Sequence, residues 1–383
     1  MKPVVVLGIG QSQFGKFPQR TIADLGSEAV RAALADAALE RSQLQIAYSS
    51  RLYADMITGQ TVFKEVGVTR IEMVNVENAC AGGATAVRGL WKDIAAGYCD
   101  VGIALGVESM TTSPVAGKLI PPAKDDLDGM HGMTMPVMFS LQAKRLMHTH
   151  GATREDFAQV SVKAHDFGAV NPMAQYRKRF TVEEVLGSRT VADPITLLQC
   201  CPNTDGAAAV ILCSEAFAAK HGGRSRNPRI VASVLVSGDY AYKKQDLTSM
   251  ELGARAAHLA YEQAGLGPED LDLVELHDAF ASEELIHYED LGLCARGDAV
   301  ALLRSGATSM GGRIPVNPSG GLLSLGHPLS ASGVRNICEI AQHLRGEAGS
   351  RQIQGAKVGL AQMLGGAATG LETGAATVHI LSV

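Results

Sequence analysis

The sequence predicts a duplicated α/β fold: two layered halves stacked as five layers, α/β/α/β/α, with an inserted loop domain over one face. Three observations support it. The chain has 383 residues, enough for two to three domains at about 150 residues each, with large buried cores. Segments rich in β-formers alternate with Ala-rich helical segments, the pattern of sheets covered on both faces, which predicts parallel strands. Finally, residues 25–39 (LGSEAVRAALADAAL) repeat without gaps as residues 252–266 (LGARAAHLAYEQAGL), with six of fifteen positions identical. Both segments place small apolar residues at i, i+4 and i+8, the stripe of a helix packed closely on something flat.

In chain order, residues 1–10 (MKPVVVLGIG) read as a buried first strand. One Lys and a short apolar run without a small-residue cleavage site do not make a signal peptide. A β-rich run precedes each repeated helix, Val4 to Gly8 and Ile230 to Val236. Each half then has a Gly-rich turn, a helix and a strand: Ala81–Ala96 with Val101–Gly106, and Gly320–Leu344 with Val358–Ala361. Residues 112–200 have no counterpart in the second half. Rich in Met, Pro and polar residues, they read as a lid or loop insertion. The halves are expected at 1–228, including the insertion, and at 229–383.

Composition excludes several functions. Net charge is −5 and there is no long basic run, so no footprint for nucleic acid exists. Apolar residues make up 46% and charged residues 19%, which excludes a disordered chain. Apolar stretches are interrupted well before the roughly 20 residues of a membrane span. Seven scattered Cys, with no CxxC pair and no His-x-x-x-His, suit neither a secreted disulfide scaffold nor a closed zinc site. The expectation is a cytoplasmic, reduced, metal-free protein. Neither GxxxxGK[ST] nor GxGxxG is present, so no nucleotide cradle is indicated.

Four segments can carry chemistry. Cys80 ends the strand-like run Val74–Ala79 and precedes Ala81-Gly82-Gly83 and an Ala-rich helix. A helix N-terminus favours a thiolate, though a Cys among alanines is also a common inert hydrophobe. At the equivalent place in the second half stands His327, in Gly326-His327-Pro328 before a helix. A pseudo-twofold axis would bring it to Cys80, and a Cys–His pair is the minimum set for covalent acyl transfer. His277 follows the apolar strand Leu273–Leu276, at the strand end where α/β sites lie. It suits polarising a carbonyl, or else capping the helix Ser282–Tyr288. His131, in Gly129-Met130-His131-Gly132, either enters the pocket from the insertion or lies on a surface loop. The turn Asn203–Val210 reads as scaffold.

Five segments together resemble the thiolase superfamily, most closely sterol-carrier-protein-type and archaeal-type acetoacetyl-CoA thiolases. They are Asn78–Gly83, Leu197–Ala208, Glu275–Phe280, Asn317–Gly333 and Val358–Ala367. The resemblance covers nearly the whole chain. It implies the thiolase fold, Cys80 as acyl-accepting nucleophile, His327 as its activator and part of an oxyanion hole, and His277 as holder of the thioester oxygen. Backbone N–H groups of Cys80 and of the Gly365/Gly366 turn would hold the acyl-enzyme oxygen. It also implies a CoA thioester as substrate with no bound cofactor, a homodimer or homotetramer, and a small zinc-ribbon/OB-fold partner protein. Two departures stand out. The C-terminal Cys that serves many thiolases as base is missing, since residues 359–367 read GLAQMLGGA. Sterol-carrier-type relatives place a Cys in His-Asp-Cys-Phe, where this chain has Ala279; archaeal-type relatives keep a His-Asn pair where Gln362-Met363 stands. The expected activity is that of an acyl-CoA C-acyltransferase of the acetyl-CoA C-acyltransferase type. Acyl transfer to a phenolic acceptor in a multi-protein complex, or a retro-aldol lyase subunit, are the alternatives.

Overall fold

The computed structural model describes residues 1–121, 126–222, 226–240, 246–369 and 372–383. Strand β1 (Val4–Gln11) leads into α1 (Ile22–Ala37), β2 (Ile46–Ser50), α2 (Thr58–Glu65), β3 (Glu72–Val76), α3 (Gly82–Ala96) and β4 (Val101–Ser109). The insertion carries α4 (Leu127–Met130), α5 (Met135–His150), α6 (Arg154–Ala169), α7 (Val182–Leu186), β5 (Thr190–Ala192) and β6 (Ile195–Thr196). Then come β7 (Asp205–Ser214), α8 (Glu215–His221), β8 (Arg229–Ser237), α9 (Glu251–Ala264) and β9 (Leu273–Glu275). The chain closes with α10 (Ala281–Asp290), α11 (Ala299–Arg304), α12 (Leu329–Arg345), β10 (Val358–Thr369) and β11 (Glu372–Ser382). Among the described residues, no helix is long and apolar enough to cross a membrane.

The main sheet runs β3-β2-β4-β7-β1-β8-β11-β10-β9. Its two halves join at β1 and β8 through the single pairing Val5↔Arg229, so each half keeps its own faces. The strands are mixed rather than all parallel as the alternation predicts. β2 pairs parallel with β3 and β4, but β7 runs antiparallel to both β1 and β4, and β11 is antiparallel to β10 and β8. The reason is connectivity. β10 and β11 follow one another without a helix, and β7 returns from the insertion instead of from a crossover, so neither obeys the βαβ rule.

Side-chain alternation in β1 separates the layers. Val5 and Leu7 pack against Leu25, Ala29 and Ala33 of α1, while Val4 and Val6 share a core with Val87 of α3 and Ile337 of α12. Helix α1 starts on a reciprocal cap, Thr21 Oγ1 accepting the Asp24 N–H and Asp24 accepting the Thr21 N–H. The repeated helix α9 buries Leu252, Ala256 and Ala260 on the outer face of the second sheet. Between the sheets, α3 crosses α12 very closely. A Cβ on Gly83 would lie 2.2 Å from the Ser330 carbonyl oxygen, and one on Gly333 2.6 Å from the Ala84 nitrogen. The five layers are thus α1/α2, first sheet, α3/α12, second sheet, and α9/α10.

The insertion is largely helical, where its composition suggested a lid or loops. Thr153 and Asp156 cap α6 reciprocally, and Phe157, Val160 and Ala164 form one apolar face. That face joins Phe139 and Leu146 of α5 and Leu285 and Tyr288 of α10 in one core. A buried Lys163–Glu284 ion pair ties α6 to α10.

Candidate active site

Cys80 lies on a short turn, Ala79–Ala81, between β3 and α3. Ala79 has φ +47, a left-handed conformation that a non-glycine residue adopts at a cost and that tightens the turn. Asn78 Nδ2 donates to Thr85 Oγ1 at 3.0 Å, and that hydroxyl donates to the Ala81 carbonyl at 3.0 Å. On the far side β10 closes in: a Cβ on Gly365 would lie 2.1 Å from the Asn78 carbonyl. Gly366 follows at φ +66. Cys80, Gly365 and Gly366 line one cavity of about 260 Å³, together with His277, Tyr53 and Phe139. All seven cysteines are free thiols. Burial pushes Cys200, Cys213, Cys294 and Cys338 up to about 12, and Cys99 up to about 11. Those five are held as neutral packing groups.

His277 follows β9. Its backbone N–H donates to Gln362 Oε1 at 2.9 Å, and its Nδ1 lies 2.8 Å from Glu283 Oε1. Glu283 sits in the first turn of α10, where the helix N-terminus favours an anion, and its other oxygen accepts the Ala279 N–H at 3.0 Å. His277 is therefore fixed by a strand end on one side and a carboxylate on the other. Burial alone would disfavour its charge, but Glu283 and the neighbouring Cys80 raise it to about 9. Burial likewise opposes charge on Glu283, yet His277 and His287 hold it down to about 2.

His327 sits in the turn before α12. Gly326, at φ +108, sets the turn, and the His327 N–H donates to Thr204 Oγ1 at 3.0 Å. The Asn203–Val210 scaffold thus has a specific task, because Asn203 also pairs with His327 in a parallel bridge. The ring's Nδ1 lies 2.8 Å from Ser332 Oγ, while its Nε2 is buried with no hydrogen-bond partner among the described residues. Burial, and then the charge on His277, drive His327 well below the usual histidine range. The two rings stand edge to face, 5.4 Å between centroids.

The thiol of Cys80 and one ring nitrogen each of His277 and His327 lie within 4.8 Å of one another. His131 is placed elsewhere. It caps the short α4, is exposed, and does not line the cavity, because the turn after α4 directs it outward while Met133, Thr134 and Met135 face in. The reading of His131 as a pocket residue is corrected accordingly. Sequence reasoning missed Glu283 and Ser332, the partners that distinguish the two histidines. The only signal for Glu283 was a carboxylate in the first turn of the helix after His277, and Glu284 offered the same signal.

Residues 4–216 match the family description "Thiolase, N-terminal domain" and residues 234–382 match "Thiolase C-terminal domain-like". An acetyl-CoA acetyltransferase of Methanothermobacter thermautotrophicus is 39% identical, with all of both chains covered. The benzoylsuccinyl-CoA thiolase subunit BbsB of Thauera aromatica is 38% identical over 92% of each chain. Human sterol carrier protein 2 is 38% identical over 95% of this chain and 70% of its own length. Among solved structures, the Ltp2-ChsH2(DUF35) aldolase superposes with a TM-score of 0.85 at 26% identity, covering 100% of this chain and 98% of that one. Both halves are matched in order and the relatives align along nearly the whole length, so the chain belongs to the thiolase family.

Proposed function

We propose that this thiolase-family acyltransferase is an acyl-CoA C-acyltransferase that forms or cleaves a carbon–carbon bond through an acyl-enzyme on Cys80. The observation that carries the reading is the convergence of the Cys80 thiol, His277 and His327 within 4.8 Å, with Cys80 and His277 lining one cavity. In the acylation half, the Cys80 proton passes to Nε2 of the neutral His327 ring, while His277, charged against Glu283, holds the thioester oxygen. The thiolate attacks the thioester carbonyl, the bond to the CoA sulfur breaks, and CoA leaves with the proton from His327. Backbone N–H groups of Cys80 and the Gly365/Gly366 turn hold the acyl oxygen; such donors are typically worth about 3 kcal/mol each in barrier height. CoA enters and leaves as substrate.

The second half needs a base at the α-carbon of the acceptor. Gln362 and Met363 offer no such group, whereas His327 Nε2 is unpartnered and its ring is held neutral. Two histidines whose surroundings push their charge states apart can divide acid and base work between them. His327 removes the α-proton, the carbanion attacks the acyl carbon, the Cys80–carbon bond breaks, and His327 returns the proton to the freed thiolate. A homodimer or homotetramer is proposed, and the names of two relatives favour a second protein: one is a "subunit", the other is titled with ChsH2(DUF35).

Incubation with acyl-CoA should leave an acyl mass adduct on the Cys80 peptide that disappears in Cys80→Ala. An unmodified wild-type protein would end the covalent reading. A second reading, a retro-aldol lyase, draws support from the aldolase neighbour and from the missing second Cys. Release of aldehyde or ketone from a β-hydroxyacyl-CoA, with no adduct on Cys80, would select it.

A further inference from the structure

We propose that the acyl group carried on Cys80 is an uncharged apolar chain or ring of about six carbons or more, in place of acetyl, and that methionines at the starts of α5 and α9 select it. The proposal names the substrate class of the acyltransferase reading and rests on that reading for its chemistry. The cavity beside Cys80 has a volume of about 260 Å³. At roughly 30 Å³ for each water-sized group it holds about eight heavy atoms, and an acetyl group fills less than half of it. Four of the chain's 13 methionines, Met133, Met135, Met138 and Met250, line this one space. Unbranched, polarisable thioether side chains adapt their shape to an apolar guest.

Depth separates two kinds of lining. Met138, Phe139, Met250 and Leu364 are buried and belong to one apolar core built from α5, β10 and the start of α9. Phe139 is locked there by its stack on Phe280. Cys80 packs against a separate, smaller cluster that includes Leu329. The cavity therefore reaches from the thiol to a second apolar core, and its floor is hydrocarbon and thioether. Asp126, Thr134 and Thr373 are only half-buried and supply the polar part of the lining. The amides of a CoA arm need hydrogen-bond partners, which those three side chains offer and the methionine floor does not. The floor thus suits the acyl chain and the polar rim suits the arm. Among the described lining residues the acids are Asp126 and Glu283, the latter paired to His277, and there is no Lys or Arg. An acyl chain ending in a carboxylate would meet no cation on this floor, and burying that charge unpaired is costly.

The test runs a series of acyl-CoA substrates against the full chain. Acylation of Cys80, followed as CoA release and as the adduct on the Cys80 peptide, should quicken from acetyl- through butyryl- to hexanoyl-CoA. Each buried methylene contributes about 0.8 kcal/mol, or about fourfold, so hexanoyl-CoA should exceed acetyl-CoA by about tenfold or more even with half of its added methylenes buried. Adipoyl-CoA, of equal length but ending in a carboxylate, should react about tenfold or more slower than hexanoyl-CoA. Met135→Trp, which thickens the wall at a half-buried position, should cut the hexanoyl-to-acetyl ratio by about tenfold. An acetyl rate equal to or above the hexanoyl rate, an adipoyl rate matching hexanoyl, or an unchanged ratio in Met135→Trp overturns the proposal. Calorimetric binding of the same series to Cys80→Ala reads the cavity without the reaction. Tighter binding of hexanoyl-CoA than of acetyl-CoA there, with no adduct on the wild-type chain, would sink the acyltransferase reading and leave the preference of the cavity standing; equal binding would overturn that preference.

Discussion

At the scale of single residues, charge state is set by what each buried histidine touches. His277 and His287 are raised to about 9, by Glu283 and by Asp290 with Glu283 respectively, each against the opposing effect of burial. Their stabilisation is complete below about 6.5, where the unfolded imidazole is also charged, and is lost as pH rises toward 9. Burial has the opposite effect on His165 and His343, lowered to about 4, and His379, lowered to about 3. These stay neutral in the fold while the unfolded chain takes up protons, so stability falls as pH drops below about 6.5. Glu283, held at about 2, loses its contribution only at still lower pH. The expected thermal unfolding midpoint is therefore highest near pH 6.5 and declines on both sides. Differential scanning calorimetry from pH 4 to 9.5 checks this, and a flat profile would refute it.

Among elements, the decisive contact is α3 against α12, because these two helix starts carry Cys80 and follow His327. Gly83→Ala would force a Cβ to 2.2 Å from a backbone carbonyl that cannot swing aside. Overpacking of this kind costs about 1–3 kcal/mol, and the helices must part to relieve it. Gly83→Ala is expected to lower the denaturant midpoint and, in the protein that remains folded, to slow acylation of Cys80 through the displaced turn. Unchanged acylation would show that the turn tolerates movement of α3. Much of this level was legible in the sequence. The repeat at 25–39 and 252–266 marked α1 and α9, and Gly82-Gly83 marked a close approach. Strand direction was not legible, because parallel and antiparallel partners show the same apolar runs, and β7 is fixed only by where the insertion returns the chain. The helices of the insertion were obscured by its Met and Pro content, although the Thr153–Asp156 cap was there to be read.

For the whole molecule, the insertion is joined to the second half through buried charge as well as apolar packing. Lys163 of α6 meets Glu284 of α10 and also reaches the Tyr288 hydroxyl at 3.0 Å. Lys163→Met would leave Glu284 buried without its cation, a change that typically costs about 3–5 kcal/mol. Urea unfolding should show that loss as a lower midpoint, and a midpoint within error of wild type would refute the contribution of this ion pair. The same packing fixes one wall of the cavity, since Phe139 of α5 stacks on Phe280 at 4.4 Å between ring centroids, two residues beyond Asp278.

By itself the sequence determined the layered, duplicated architecture and pointed to Cys80 as the candidate thiol, because apolar periodicity and a Gly-rich strand-to-helix turn are local patterns written in consecutive residues. Tertiary structure alone decided which histidine can hold a proton beside that thiol. His277 and His327 are each flanked in sequence by plausible partners, and charge stabilisation depends on a few ångströms between groups from different elements. Folding placed Glu283 behind one ring and Ser332 behind the other, and it turned His131 away from both.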